Sequence, residues 1–438
     1  MKLLVPALFL FSSTSIFAVE IATFRADVTP PVGAPLCGGL VKPVAGVSEP
    51  LLALGVVILS DERPVVLCAI DFCEIRGADH RHWREVLARA AGTSSDRVAL
   101  HSLHQHNAPL VDTAAQRLLP ELGIIDVVAT EKALEGVATS IVAALKTPAK
   151  ASHITTGEAR VLEVAGNRRV QVIDGKVGKM RGSGSKDPEL RALPEGLIDP
   201  MLKTIGFWNG EKKLAALHYY ATHPMSYYGD GIVSHDFAGI AREKRTQEDG
   251  VPHIYFTGCG GNIGAGKYND GTPPMRPLLA DRMHAAMLES EKNTRRTPLE
   301  KIEWRHLPVV LQPNPDFPEE RMFKLLQNTA VAPSQRISAA LRIGFIRHRE
   351  PIPFTSLHFG DDVRLLHLPG ESFVEYQLFA QQQHPGGFVC TASYGDGVTG
   401  YIPLEQSFSE GGYETTQAYA APDSEKAMKQ SITDLVKK

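Results

Sequence analysis

The chain has 438 residues, 43% of them hydrophobic, and a formal net charge of -3. That is enough apolar surface for a large core in one domain or two. The balance excludes a mainly electrostatic partnership with nucleic acid or an anionic membrane, because the short basic runs at 168–169 and 292–296 make no basic stripe.

Residues 1–18 read as an export signal. Lys2 gives a positive start, 3–11 are wholly apolar, and 12–18 end on a small residue, Ala18. The apolar run is too short to span a bilayer, which needs ~20 residues. The expected mature chain opens at Val19-Glu20, secreted or periplasmic, and no later segment reads as transmembrane. Residues 22–28 form a short strand ending in Pro30-Pro31-Val32-Gly33. Residues 52–59 and 64–70 pair as a hairpin. Residues 79–91 form an amphipathic helix with Trp83, Val86 and Leu87 on one face. A strand at 98–102 and a helix at 129–144 follow. Residues 199–219 give a helical turn and two strands around a hairpin at 210–213. Residues 253–257 are a strand running into glycines, and 276–289 a helix. The stretch 293–317, rich in Pro and charge, reads as an internal boundary or surface crossing. Helix then dominates 318–341, strands occupy 363–368 and 388–392, and 418–438 is a polar helical tail. No internal repeat is legible. The alternation indicates an α/β fold, a mixed β-sheet core flanked by helices.

The five cysteines, Cys37, Cys68, Cys73, Cys259 and Cys390, form no CxxC pair. They read as small buried hydrophobes.

Five segments carry chemistry. Leu100-His101-Ser102-Leu103-His104-Gln105-His106 places three histidines in six positions after an apolar run. Histidine is the commonest metal ligand and the usual base near neutral pH. Residues two apart on an extended chain face one side, so His104 and His106 act as a pair. His223 stands where an apolar strand is stopped by Pro224; the nearby His235 is a neighbouring partner or a plain loop residue. Residues 258–266 hold five glycines in nine positions. They fit neither a Walker loop nor a dinucleotide fingerprint, and read as a nest of amides for an oxyanion or a simple turn. Glu371 follows Pro369-Gly370 and reads as the first residue of a helix, either a terminal charge or a ligand or base. Tyr394, Tyr401 and Tyr413 lie in Gly-rich surroundings. Together these groups offer nitrogen and oxygen ligands of the kind that hold zinc.

Taken in order, the motifs resemble the neutral/alkaline non-lysosomal ceramidase family, in its N-terminal catalytic domain, from about residue 22 to 414. Arg25-Ala26-Asp27-Val28-Thr29-Pro30-Pro31-Val32-Gly33 is similar to its first-strand motif. His104-Gln105-His106-Asn107-Ala108-Pro109 is similar to its His-x-His signature. Asn167-Arg168-Arg169, Ala221-Thr222-His223-Pro224, Pro369-Gly370-Glu371, Gly400-Tyr401-Ile402-Pro403 and Gly412-Tyr413-Glu414 resemble later motifs. The resemblance implies a zinc (Zn2+) amidase with His104, His223, Glu371 and Tyr401 as metal ligands, Tyr401 being preferred to Tyr394 and Tyr413. It implies that His106 bonds the substrate and that Arg168 or Arg169 holds the carbonyl side. The chain departs from the pattern at Gly261-Asn262-Ile263-Gly264-Ala265. Gly264 stands where family members carry Ser, which removes a serine nucleophile there. Asn262 stands for Asp and joins His106 and Arg168 as a catalytic candidate. No C-terminal immunoglobulin-like domain is expected after the catalytic domain, 19–438. The expected function is zinc-dependent hydrolysis of a non-peptide amide bond in a small-molecule or lipid-like N-acyl substrate. The rivals are a binding member without turnover and a metal-dependent ester hydrolase.

Overall fold

The computed structural model describes residues 19–348 and 350–437, so the export signal lies outside the described residues. Three sheets recur on one plan. In the N-terminal sheet, Glu20–Asp27, Leu52–Leu59 and Val65–Ile70 pair antiparallel in sequence order. The helix Gly77–Ala91 then crosses over to Val98–Ser102, which runs parallel to Val65–Ile70. In the middle sheet, His153–Arg160, Met201–Asn209 and Lys212–Tyr220 are antiparallel. The helix Asp236–Asp249 leads to the parallel strand His253–Thr257. In the C-terminal sheet, Ile302–Val309, Ile352–Phe359 and Val363–His367 are antiparallel. The helix Val374–Gln382 leads to the parallel strand Phe388–Ala392. An antiparallel partner can follow through a tight turn, whereas a parallel one needs a crossover, here always helical. The chain therefore carries a threefold structural repeat that its sequence conceals.

The inner strands Leu52–Leu59 and Val65–Ile70 are apolar along their length, as in a sheet covered on both faces. Every residue of Val65–Ile70 and of Val98–Ser102 is buried. The three parallel strands meet at their C-terminal ends. Ser102 N–H donates to Tyr394 O at 2.9 Å, and Ser393 N–H to Thr257 O at 2.9 Å. His101 ties this junction: Nδ1 donates to Ser393 O at 2.6 Å, and Nε2 accepts from Thr257 N–H at 3.0 Å. Both ring nitrogens are spent, and burial lowers the His101 pKa to about 3. Substituting His101 by Phe leaves a buried carbonyl and a buried N–H without partners. The expected cost is about 1–3 kcal/mol for each, read as a lower midpoint in urea unfolding. An unchanged midpoint would remove His101 from this structural role.

Four expectations are corrected. Residues 293–317 are not a boundary. Arg295–Pro298 pairs with His153–Arg160 at the edge of the middle sheet, and Ile302–Val309 is an edge strand of the C-terminal one. Their prolines are tolerated because an edge strand has one unpaired side. Asp199 starts no helical turn; its buried carboxylate accepts from Gln377 and Gln381 at 2.7 Å each and from Met201 N–H at 3.1 Å. The tail is not simply polar: the helix Ser424–Val436 buries Met428, Ile432, Leu435 and Val436. Glu371 opens no helix, since it lies in the short strand Glu371–Ser372, parallel to Tyr401–Ile402 and opposite Tyr401 itself. Among the described residues no helix is long and apolar enough to cross a membrane.

Candidate metal centre

The converging strand ends deliver the site. His104 follows Val98–Ser102, His223 follows Lys212–Tyr220, and Glu371 follows Val363–His367. Glu371 Oε2 lies 3.1 Å from His104 Nε2 and 3.0 Å from His223 Nε2. Tyr401 Oη is 3.3 Å from the same His223 nitrogen. All four residues are buried.

The other ring nitrogens are committed. His223 Nδ1 faces Gly260 O at 2.7 Å and Ile263 O at 2.9 Å, and His104 Nδ1 faces Cys73 O at 3.2 Å. A carbonyl accepts only, so each Nδ1 carries hydrogen. Each Nε2 of a neutral ring then points a lone pair at a carboxylate oxygen. That arrangement is repulsive unless a cation lies between them. A metal held by His104, His223 and Glu371, with Tyr401 beside it, fits the donor set, and the carbonyls behind the rings are the usual outer partners of metal-bound histidines.

Without a metal, a proton does part of this work. Burial opposes charge on His104, but Glu371 raises its pKa to about 9. Burial lowers His223 to about 4 even though it touches the same carboxylate, and Arg168 adds to the effect. The two directions agree with one carboxylate sustaining one imidazolium. Burial works against the Glu371 charge as well, yet the two histidines hold its pKa well below the ordinary value.

Of the paired arginines, Arg168 faces the cluster. Its Nη1 donates to Tyr401 Oη at 2.9 Å and lies 3.4 Å from His223 Nε2. Arg169 turns away to Glu410 at 2.8 Å and Glu414 at 3.2 Å. His106 is half-buried, with Nε2 3.4 Å from His104 Nε2 and its ring against Tyr228. Tyr394 stacks on His104 with centroids 4.5 Å apart, and the half-exposed Tyr413 packs edge-on against Tyr401. Asn262 makes its contacts outside the cluster: its amide donates to Glu375 at 2.9 Å and its oxygen accepts from Val374 N–H at 2.9 Å, fixing the start of the helix Val374–Gln382. His235 lies apart, packed at Asp71 and Arg242.

In the Gly-rich loop, the N–H groups of Gly258, Cys259, Gly261 and Ile263 are taken by Tyr220 O, the Gln377 side chain, Ser372 O and Gly260 O. The loop offers carbonyls to His223, and its glycines allow backbone to lie on backbone. A Cβ at Gly261 would come within 2.2 Å of Glu371 O. At Gly264 a Cβ meets nothing closer than 3.5 Å, so a serine fits there.

Two carboxylates beside the site were not singled out as site residues from the sequence. Glu74 Oε1 stands 3.6 Å from His104 Nδ1, and its other oxygen accepts from Arg76 at 2.8 Å. The fully buried Glu414 lies between both arginines, 3.6 Å from Arg168 Nε and 3.2 Å from Arg169 Nη1. Glu74 and Glu414 each follow an apolar or glycine break, the same weak cue that singled out Glu371.

No family model and no curated protein matches the sequence. Solved structures do match the fold. Neutral ceramidase from Pseudomonas aeruginosa aligns with a TM-score of 0.72 at 16% identity, over 96% of this chain and 74% of that one. A structure of ceramidase complexed with C2 aligns with a TM-score of 0.73 at 16% identity, over 96% and 75% of the respective chains. The chain therefore carries the neutral ceramidase fold that its motifs resemble.

Proposed function

We propose that the chain is an exported, zinc-dependent hydrolase that cleaves the amide bond of a small-molecule or lipid-like N-acyl substrate. The observation that carries this reading is the pair of buried imidazole Nε2 atoms, 3.1 and 3.0 Å from one buried carboxylate oxygen, with both Nδ1 atoms turned to backbone carbonyls. The shared fold with neutral ceramidase supports the reaction class, and the first 18 residues support export.

His104, His223, Glu371 and Tyr401 would hold the metal. When bound, it supplies Lewis acidity and lowers the pKa of water to roughly 7, which gives a nucleophile at neutral pH. The remaining work falls to the protein. Arg168 is a fixed donor at the edge of the cluster, able to stabilise negative charge developing on a carbonyl oxygen. Burial keeps the Tyr401 phenol protonated well above its ordinary range, with Arg168 acting in the opposite sense. His106 has a partly open ring beside His104 and is suited to donate a hydrogen bond to the substrate. Tyr228 and Tyr413, both about half exposed, line the approach to His106 and Tyr401.

The test is metal analysis of the purified mature protein, with a panel of short- and long-chain N-acyl amides assayed before and after chelation. One zinc at the cluster and hydrolysis that chelator removes and zinc restores are expected. Hydrolysis that survives full metal removal would refute the mechanism.

A further inference from the structure

We propose that Cys37, Cys73 and His106 form a second metal site, which takes one thiophilic divalent ion such as zinc beside the His104–His223–Glu371 cluster. The two sulfurs and a ring nitrogen of His106 lie within 4.8 Å of one another. The Cys37 and Cys73 sulfurs are 3.7 Å apart. Two thiolates on one tetrahedral zinc, each bonded at ~2.3 Å, stand about 3.8 Å apart. A covalent S–S bond is far shorter, at ~2.05 Å.

The backbone prepares this arrangement. Cys37 N–H donates to Ala108 O at 2.7 Å, and Cys73 N–H to Pro109 O at 2.8 Å. Both cysteines are thus tied to adjacent residues of the loop that carries His106. Cys37 adopts a φ of +47°, a left-handed conformation that L residues avoid. Such strain persists where surrounding contacts over-determine it, commonly at functional sites. The sulfurs are buried, while His106 is half-buried and offers the ion a path from solvent.

The threefold repeat supplies an independent argument. Cys73 follows Ile70, His223 follows Tyr220, and Glu371 follows His367, each three or four residues past the third strand of its unit. The correspondence extends to hydrogen bonds. His104 N–H donates to Phe72 O at 3.0 Å, just before Cys73, and Tyr394 N–H donates to Gly370 O at 2.8 Å, just before Glu371. Both His104 and Tyr394 take positive φ, +69° and +57°. Cys73 therefore holds, in the first unit, the place from which the other two units present a ligand. A third group, Asp249, His253 and Glu291, is already neutralised by Lys213 and Arg245 and carries no such argument.

The inference does not depend on the reaction assigned to the first cluster. Reduced protein stripped by chelator is titrated with Co2+ and followed in the near-ultraviolet, where thiolate-to-cobalt charge transfer absorbs. Two equivalents are expected to bind, one of them raising the thiolate band. Cys37→Ser and Cys73→Ser should each abolish the band and cut uptake from two to one. Glu371→Gln should keep the band and lose the other equivalent, so failure of either site is seen separately. No band in the wild-type protein, or a band unchanged in both serine variants, overturns the proposal. Should the serine variants not fold, the wild-type thiols answer: zinc should protect both from iodoacetamide, and equal alkylation with and without zinc overturns it. A Cys37–Cys73 disulfide that forms despite saturating zinc also overturns it.

Discussion

Glu371→Gln is expected to empty the proposed zinc site while leaving the fold intact. In the native cluster the carboxylate faces two Nε2 atoms at 3.1 and 3.0 Å. Their opposite nitrogens already donate to carbonyls of Cys73 and Gly260. A glutamine amide has nearly the same shape but carries two N–H donors and no charge. It can serve both lone pairs and thereby replace the cation. The stability of chelated protein should change by no more than about 1 kcal/mol, because partners are exchanged rather than orphaned. Metal content should fall from one ion at this cluster to none, and N-acyl hydrolysis by about 10²–10³-fold or more, the scale on which one key stabiliser of transition-state charge acts. Metal analysis, urea unfolding and the amide assay read the three effects. A variant that retains zinc at this cluster would show that Glu371 is not a ligand.

The residues proposed as ligands stood out in the sequence because each stands where an apolar strand breaks. Pro224 behind His223 and Pro369-Gly370 before Glu371 announce strand ends, and the carboxyl ends of strands are where an α/β sheet opens to ligands. Strands made of an unbroken apolar run were legible, as at Leu52–Leu59 and Val65–Ile70, whereas Ile352–Phe359, equally buried but interrupted by Pro353, Thr355, Ser356 and His358, was not. The edge strands Arg295–Pro298 and Ile302–Val309 were not legible either. Pro298 and Pro308 lie in Arg295–Pro298 and Ile302–Val309, and proline argues for a loop unless the neighbouring strand is known. The threefold repeat was hidden for another reason. What recurs is strand order and a helical crossover, while the equivalent positions hold Cys73, His223 and Glu371, three different side chains. Glu74 escaped notice because an isolated carboxylate has no periodic signature, and Glu414 stood out only as the end of Gly412-Tyr413-Glu414. Their meaning comes from Arg76, Arg168 and Arg169, which only tertiary structure brings beside them.

The second large effect is expected at Asp71, which joins two of the repeated units. Asp71 follows Val65–Ile70 in the N-terminal sheet, and Arg242 lies in the helix Asp236–Asp249 of the middle unit. Two parallel bonds of 2.7 and 2.6 Å connect them, and both side chains are wholly inaccessible to solvent. The same carboxylate accepts from Leu52 N–H at 2.8 Å. Asp71→Ala strands a buried guanidinium and a buried amide, and the expected loss is about 3–5 kcal/mol in urea unfolding. Removing both charges together, as Asp71→Ala with Arg242→Leu, should restore part of that loss, since the unpaired ion accounts for most of it. The consequences also reach the metal. Cys73 and Glu74, two and three residues beyond Asp71, hold the back of His104, so a loosened strand end should weaken zinc binding and stability together. Glu371→Gln is expected to lose zinc with stability preserved. If Asp71→Ala instead unfolds at the wild-type midpoint, or the double variant is no more stable than the single, the ion pair does not hold the two units together.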